Sequence, residues 1–233
     1  MDLLIFDLDG TLIDSKLDLA NAVNAARRHM GFAPIENDTV YSYVGNGAPV
    51  LMRRAMGPEA PEADVEKALA FFLDYYRQHM LEHTRLYPGV AEALEEFRAA
   101  GSKMAVLTNK PVRFSRELIA GLGVKDYFFQ IYGGNSFEQK KPHPVGVDKL
   151  IEECGGVPRE RVWMIGDSAV DIRTARNARI RACGVTYGFQ PETLVQDPPD
   201  ILVDSAYRLA QAIAGARNGN GDGAAISSDQ VSA

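Results

Sequence analysis

The chain opens on a short unbroken apolar run, Leu3-Leu4-Ile5-Phe6, that stops at Asp7 and Asp9. A continuous run of this length, without alternation, suits a strand buried on both faces of a parallel sheet. Asp9-Gly10-Thr11 behind it is turn chemistry. From about Tyr87 onward, short apolar runs alternate with helical periodicities. Pro88-Gly89 opens a helix carrying Val90, Leu94 and Phe97 that stops at Gly101. Residues 104–107 read as strand, 111–122 as helix, 127–132 as strand and 144–154 as helix. Residues 162–165 then read as strand, 169–178 as helix, 182–186 as strand, 201–203 as a short strand and 207–214 as a last helix. This alternation predicts an α/β fold, a Rossmann-like doubly wound parallel sheet with helices on both faces.

Residues 15–85 break the pattern and read as helices only. Ser15 with Asp18 has the spacing of a capping box, and Leu19, Val23, Ala26 and Met30 form a stripe ending at Gly31. Pro61 opens a second long helix with Val65, Leu69, Phe72, Tyr76 and Met80 on one face. Shorter helical pieces lie around Tyr41-Ser42-Tyr43-Val44 and over 50–56, hinged at Gly45-Asn46-Gly47. The predicted organisation is therefore a discontinuous α/β core, 1–14 and 86–214, with a small helical cap, 15–85, inserted after the first strand. The segment 215–233 is rich in Gly, Asn, Ser and Ala and is expected to be disordered.

Composition narrows the function classes. A chain of 233 residues with 46% apolar content suits one domain with an insert and a sizeable core. Its 25 Lys+Arg against 31 Asp+Glu leave a net charge of −6, with no basic excess to neutralise a nucleic-acid backbone. Two cysteines, Cys154 and Cys183, exclude a disulfide scaffold and fit a reducing compartment. The first apolar run is too short for a signal peptide and lacks a basic flank, and no stretch reads as a membrane span. A cytoplasmic monomer or homodimer with neither nucleic-acid nor membrane partners is expected.

In an open α/β sheet, ligands bind beyond the carboxyl ends of the strands. Asp7, Asp9 and Thr11 follow the first strand, and Thr108, Asn109 and Lys110 the second. Lys140, Lys141 and Pro142 lie on a later connection, and Gly166, Asp167, Ser168 and Asp171 follow the strand over 162–165. Four carboxylates in one crevice repel and take up protons unless a cation shares them. Hard oxygen ligands point to Mg²⁺, and the Thr hydroxyl, a main-chain N–H and the lysine suit a phosphate.

Asp7-Leu8-Asp9-Gly10-Thr11, Thr108-Asn109, Lys141-Pro142 and Gly166-Asp167-Ser168 with Asp171 resemble the four ordered motifs of the haloacid dehalogenase superfamily. The resemblance covers residues 1–213 and implies an aspartyl-phosphate mechanism. It makes Asp7 the nucleophile and Asp9 the general acid and base. It assigns Mg²⁺ to Asp7, the Asp9 carbonyl and Asp167, with Asp171 behind them. Thr108, the Asn109 backbone and Lys141 then hold the phosphoryl group. Members that cleave carbon–halogen or carbon–phosphorus bonds lack the second acid, so Asp9 implies phosphate transfer. The insert before Thr108, with no room for another before Lys141, resembles the branch with a helical cap after the first motif. Within it, Val44-Gly45-Asn46-Gly47-Ala48, Arg53-Arg54-Ala55, Tyr87-Pro88-Gly89 and Thr108-Asn109-Lys110-Pro111 are similar to bacterial phosphoglycolate phosphatases. That likeness implies 2-phosphoglycolate as the small phosphorylated substrate, with Asn46, Gly47 and Arg53 as candidate cap contacts. Sugar-phosphate phosphatases, pyrophosphatases and phosphomutases share many of these residues. A phospho-accepting receiver without turnover is the reading from another class, and it lacks a helical insert.

Other signals are set aside. His79-Met80-Leu81-Glu82-His83 matches a zinc-protease string but sits at the end of a cap helix. His143 reads as a polar loop residue, and Trp163, Cys154 and Cys183 read as core.

Overall fold

Alternate residues of the first strand, β1 (Leu3–Phe6), belong to two separate apolar cores. Leu4 and Phe6 pack into one and Leu3 and Ile5 into the other, as the period of two requires of a strand covered on both faces. The structure, a computed structural model, describes residues 1–217. After β1 come β2 (Ile13–Asp14), α1 (Lys16–His29), α2 (Asn37–Tyr43), α3 (Ala48–Met56), α4 (Glu62–His79) and β3 (Arg85–Leu86). Next are α5 (Val90–Ala99), β4 (Lys103–Leu107), α6 (Val112–Gly121), β5 (Gln130–Tyr132) and α7 (Val145–Glu153). The chain ends with β6 (Val162–Gly166), α8 (Ala169–Ala178), β7 (Arg181–Val185), β8 (Ile201–Val203) and α9 (Leu209–Arg217).

Six strands form a parallel sheet in the order β5-β4-β1-β6-β7-β8. The chain leaves β1 for β4 and β5 on one side, then crosses to β6, β7 and β8 on the other. The strand order therefore reverses beside β1, the place where a crevice opens in such sheets. Phe6 pairs with both Val106 and Ile165, so the segments after β1, β4 and β6 emerge at one level. Side chains of α5, α6 and α9 join the core of Leu4 and Phe6, and those of α7 and α8 join the core of Leu3 and Ile5. The α/β doubly wound expectation holds.

Several boundaries shift by a residue, and three shifts have a visible structural setting. The strand expected over 127–132 begins only at Gln130, because Lys125–Tyr127 form a 3-10 turn that leaves the Tyr127 hydroxyl to donate to Glu95 at the surface. The strand expected over 182–186 starts one residue earlier, where Arg181 pairs with Trp163 and lays its guanidinium over that ring. The last helix is preceded by a 3-10 turn, Ala206–Arg208, and runs to Arg217, so residues 215–217 are helix rather than tail. The disorder expected from 218 onward falls outside the described residues.

Every element between β2 and β3 is helical, and those two strands pair antiparallel, Ile13 with Leu86 and Asp14 with Arg85. This ribbon, too short to leave a pattern in the sequence, joins the entry and exit of the helical segment. The capping box expected of Ser15 and Asp18 does not form. Ser15 Oγ donates instead to Asp9 Oδ1 at 2.5 Å. Asp18 is buried and turns toward the chain leaving α4. It accepts the main-chain N–H of His83 at 3.0 and 3.1 Å, that of Thr84 at 2.8 Å and the Thr84 hydroxyl at 2.8 Å. Three donors at the exit outcompete a single cap bond, and the carboxylate staples the start of α1 to the end of α4. Asp18→Ala strands these donors and is expected to cost ~3 kcal/mol, read by equilibrium denaturation. A loss below ~1 kcal/mol contradicts the staple.

Candidate active site

The first residue beyond β1 still belongs to the sheet, since the Asp7 N–H donates to Ile165 O at 2.9 Å. The chain then coils tightly, with Leu8 O accepting from Leu12 and Ile13 at 3.0 and 3.1 Å. Gly10 permits the coil at φ +85°, and a Cβ there would lie 2.3 Å from Asp167 Oδ2. The loop brings Asp7 and Asp9 onto one cavity of about 50 Å³, shared with Thr108, Asn109 and Lys110 from the end of β4. Apolar Val44, Leu51 and Phe72, with Gly47 and Tyr76, line it from the helical side.

Asp7, Asp167 and Asp171 each place a carboxylate oxygen within 4.8 Å of the others. Asp171 is fully buried in the first turn of α8, where it closes a capping box with Ser168 through bonds of 2.8 and 3.2 Å. Its other oxygen accepts from Lys141 Nζ at 2.6 Å, and the same ammonium stands 2.9 Å from Asp7 Oδ1. Burial alone would pull this lysine's pKa down, but Asp171 and Asp7 outweigh it and hold the value above the ordinary lysine range. Burial pushes Asp7 up to about 6, against Lys141 and with the help of Asp171. Burial, then Asp171 and Asp7, push Asp167 up to about 8, although the N–H groups of Phe189 and Gln190 donate to it at 2.6 and 3.3 Å. Three carboxylates against one ammonium cannot all ionise in a buried crevice without further positive charge. The donors are all hard oxygens. Both features fit a divalent cation of the Mg²⁺ class.

Asp9 faces elsewhere. Its carboxylate receives Lys110 Nζ at 3.0 and 3.1 Å and the Ser15 hydroxyl. Lys110 also donates to the Tyr76 hydroxyl at 2.8 Å. The sequence places Lys110 at this edge without a role, and shows Tyr76 only as part of an apolar stripe. Lys110 directly follows Thr108-Asn109 at a strand's carboxyl end, which was its signal. Tyr76 lies in an apolar helical stripe, which hid its hydroxyl. Thr108 donates its N–H to Tyr132 O at 3.0 Å and accepts that of Lys110 on Oγ1 at 3.3 Å.

The three cap candidates separate. Gly47 lines the cavity at φ +88°, where a Cβ would come within 3.1 Å of Asn109 O. Asn46 is outside the lining, and its carbonyl accepts Lys140 Nζ at 2.6 Å. Arg53 is a correction. Its guanidinium is occupied at the start of α4, donating to Ala60 O at 2.6 Å and pairing with Glu62, and it does not reach the cavity. Two more core side chains donate to carbonyls of this hinge. Asn109 Nδ2 reaches Gly45 O at 3.1 Å, and Gln190 Nε2 reaches Ser42 O and Val44 O at 3.1 and 2.9 Å. Gln190 belongs to a loop beyond β7 that carries no motif.

Of the zinc-protease string, Glu82 and His83 come within 4.8 Å of Asp18, but the two histidines of the string do not gather on one group. His79 pairs with Glu82 at 2.6 Å, and Asp18 beside His83 is spent on the staple. His143 is exposed, its Nδ1 accepting from Val145 N at 3.2 Å. Trp163 and Cys183 are buried, while Cys154 is only partly so. Among the described residues no helix is long and apolar enough to cross a membrane. Because the folded pKa of Asp167 is raised, its stabilising contribution is complete below the unfolded value of ~3.9 and is lost as pH rises through about 8. In metal-free protein, Asp167→Asn should therefore melt higher than wild type at pH 8.5 and converge with it near pH 4. Thermal melts across pH, in chelator, read this; a lower melting point for the variant at pH 8.5 contradicts it.

The sequence profile described as Haloacid dehalogenase-like hydrolase matches residues 4–185. The chain is 40% identical over 220 residues to a phosphoglycolate phosphatase of Vibrio vulnificus (strain CMCP6), covering 91% of this chain and 95% of that one. It is 38% identical over 214 residues to one from Agrobacterium fabrum, covering 91% of each. The crystal structure of a predicted phosphoglycolate phosphatase from Haemophilus somnus 129PT superposes with a TM-score of 0.86 at 32% identity, over 91% of this chain and 97% of that one. With a profile match spanning both edges of the crevice and relatives aligned along nearly their whole length, the chain belongs to the haloacid dehalogenase-like hydrolase family, as a phosphatase.

Proposed function

We propose that the protein is a Mg²⁺-dependent phosphomonoesterase that works through an aspartyl-phosphate on Asp7, with 2-phosphoglycolate as its substrate. The observation that carries this is the pair Asp7 and Asp9, turned by one tight loop onto the same small cavity as Thr108 and Asn109, with Lys141 on Asp7. Asp7 attacks phosphorus while Asp9 gives a proton to the departing ester oxygen. Asp9 then takes a proton from the water that attacks the phosphorus of the acyl phosphate, and inorganic phosphate leaves with Asp7 restored. Thr108, the Asn109 backbone and Lys141 hold the phosphoryl oxygens. Lys110 and Ser15 fix the direction of the Asp9 carboxylate. A bound Mg²⁺, held by Asp7, Asp167 and the Asp9 carbonyl with Asp171 behind, supplies positive charge against the repulsion between carboxylate and phosphate.

Residues 15–85 act as a cap that excludes water, its hinge carbonyls docked on Asn109, Lys140 and Gln190. The printed names of the relatives support a two-carbon phosphoester. The free cysteines suit the cytoplasm. Asp7→Asn should lose ~10³-fold or more of turnover with an unchanged circular dichroism spectrum, and chelation should abolish wild-type phosphate release until Mg²⁺ is restored. Near-normal rates from Asp7→Asn would refute the covalent mechanism.

A further inference from the structure

Lys110 is the one cation that lines the cavity among the described residues. Lys141 is engaged by Asp7 and Asp171 behind it, and Arg53 is held by Glu62. Lys110 Nζ is almost fully buried, with its donors directed at Asp9 and the Tyr76 hydroxyl oxygen. Tyr76 in turn is held edge-on by Phe114 and stacked on Phe72, with ring centroids 5.6 Å apart in both cases. Its oxygen accepts from the lysine, and its O–H hydrogen has no acceptor among the described residues. Burial pushes this phenol up to about 12, so it keeps its proton at neutral pH. A neutral O–H polarised by an adjacent ammonium is a strong donor to an anion. The other large side chains of the helical wall, Leu19, Val44, Leu51 and Phe72, carry no hydrogen-bonding group for the hydroxyls of a sugar.

We propose that Tyr76 and Lys110 form an anion subsite, placed beside Asp9, that selects short phosphoesters carrying a second negative group next to the ester carbon. The inference rests on the phosphatase reading above and deepens it. The phosphoryl group sits at Asp7, and a carboxylate one or two bonds beyond the ester oxygen meets the phenolic O–H and the ammonium. A neutral tail of the same length leaves the buried phenolic O–H without an anion, while Lys110 keeps Asp9 and polarises that O–H, and specificity follows from the phenol's unmet donor.

The test compares kcat/KM for 2-phosphoglycolate and for 2-hydroxyethyl phosphate, which differ in the charge of the tail, in Mg²⁺-loaded wild type, Tyr76→Phe and Lys110→Gln. Tyr76→Phe keeps the ring packing and removes only the hydroxyl. It is expected to lower the ratio of the two specificity constants by ~10-fold or more, through KM for the anionic ester. Lys110→Gln lowers it at least as far. If wild type releases phosphate from neither ester, the functional reading falls and the subsite with it. If wild type is active and the ratio is unmoved in both variants, including by an equal loss on both esters, the subsite falls while the phosphatase stands.

Discussion

A single ammonium, Lys141 Nζ, lies buried between Asp7 and Asp171, and the catalytic edge of the sheet depends on it. It arrives on the connection between β5 and α7, while its partners come from β1 and from the first turn of α8. Asp171 closes the N-terminus of α8 with Ser168 through its other oxygen. One pair of contacts therefore sets the start of a helix, the path of a loop and the charge beside Asp7. Removing one member of such a buried network leaves an uncompensated charge, which costs more than the bond itself. Even with the lysine in place, burial first and the neighbouring carboxylates second keep Asp7 and Asp167 above the ordinary carboxylate range.

The helical segment is tied to this edge mostly through its backbone. Asn109, Lys140 and Gln190 all donate to carbonyls within residues 42–46, so docking does not depend on which side chains the hinge carries. Two of the ties continue inward. The main-chain N–H of Gln190 donates to Asp167, and Lys110 joins Asp9 to Tyr76 of α4. Asp9 and Asp167 are each linked through one residue, Lys110 or Gln190, to the helical segment. Its position and the electrostatics of the site are thus set together.

Much of this was legible in the chain. The unbroken run Leu3–Phe6 announced a doubly buried strand because a parallel sheet covered on both faces demands it. Residues Asp7, Thr108 and Asp167 could be read as neighbours because each follows a strand of one sheet. The readings that the contacts do not support rested on local features alone, whether spacing, charge or apolar pattern. Ser15 and Asp18 have the interval of a capping box, yet each found a stronger partner elsewhere, on Asp9 and on Thr84. Arg53 has the charge a carboxylate needs, yet Glu62 and Ala60 O claim it. Lys125–Tyr127 has strand-like neighbours, yet it turns before β5 begins.

The sequence by itself determined the period of each element, the turn chemistry behind each strand, and hence which acids and hydroxyls stand at the carboxyl edge. Those are local properties of a few consecutive residues. Only the tertiary structure decided which partner each polar group takes. It set Lys110 against Asp9 and Tyr76, three residues far apart in the chain, and it set Gln190 against Asp167 and the hinge. The reason is that a buried donor goes to whichever acceptor folding leaves within about 3 Å, and that competition is settled between elements, not within them.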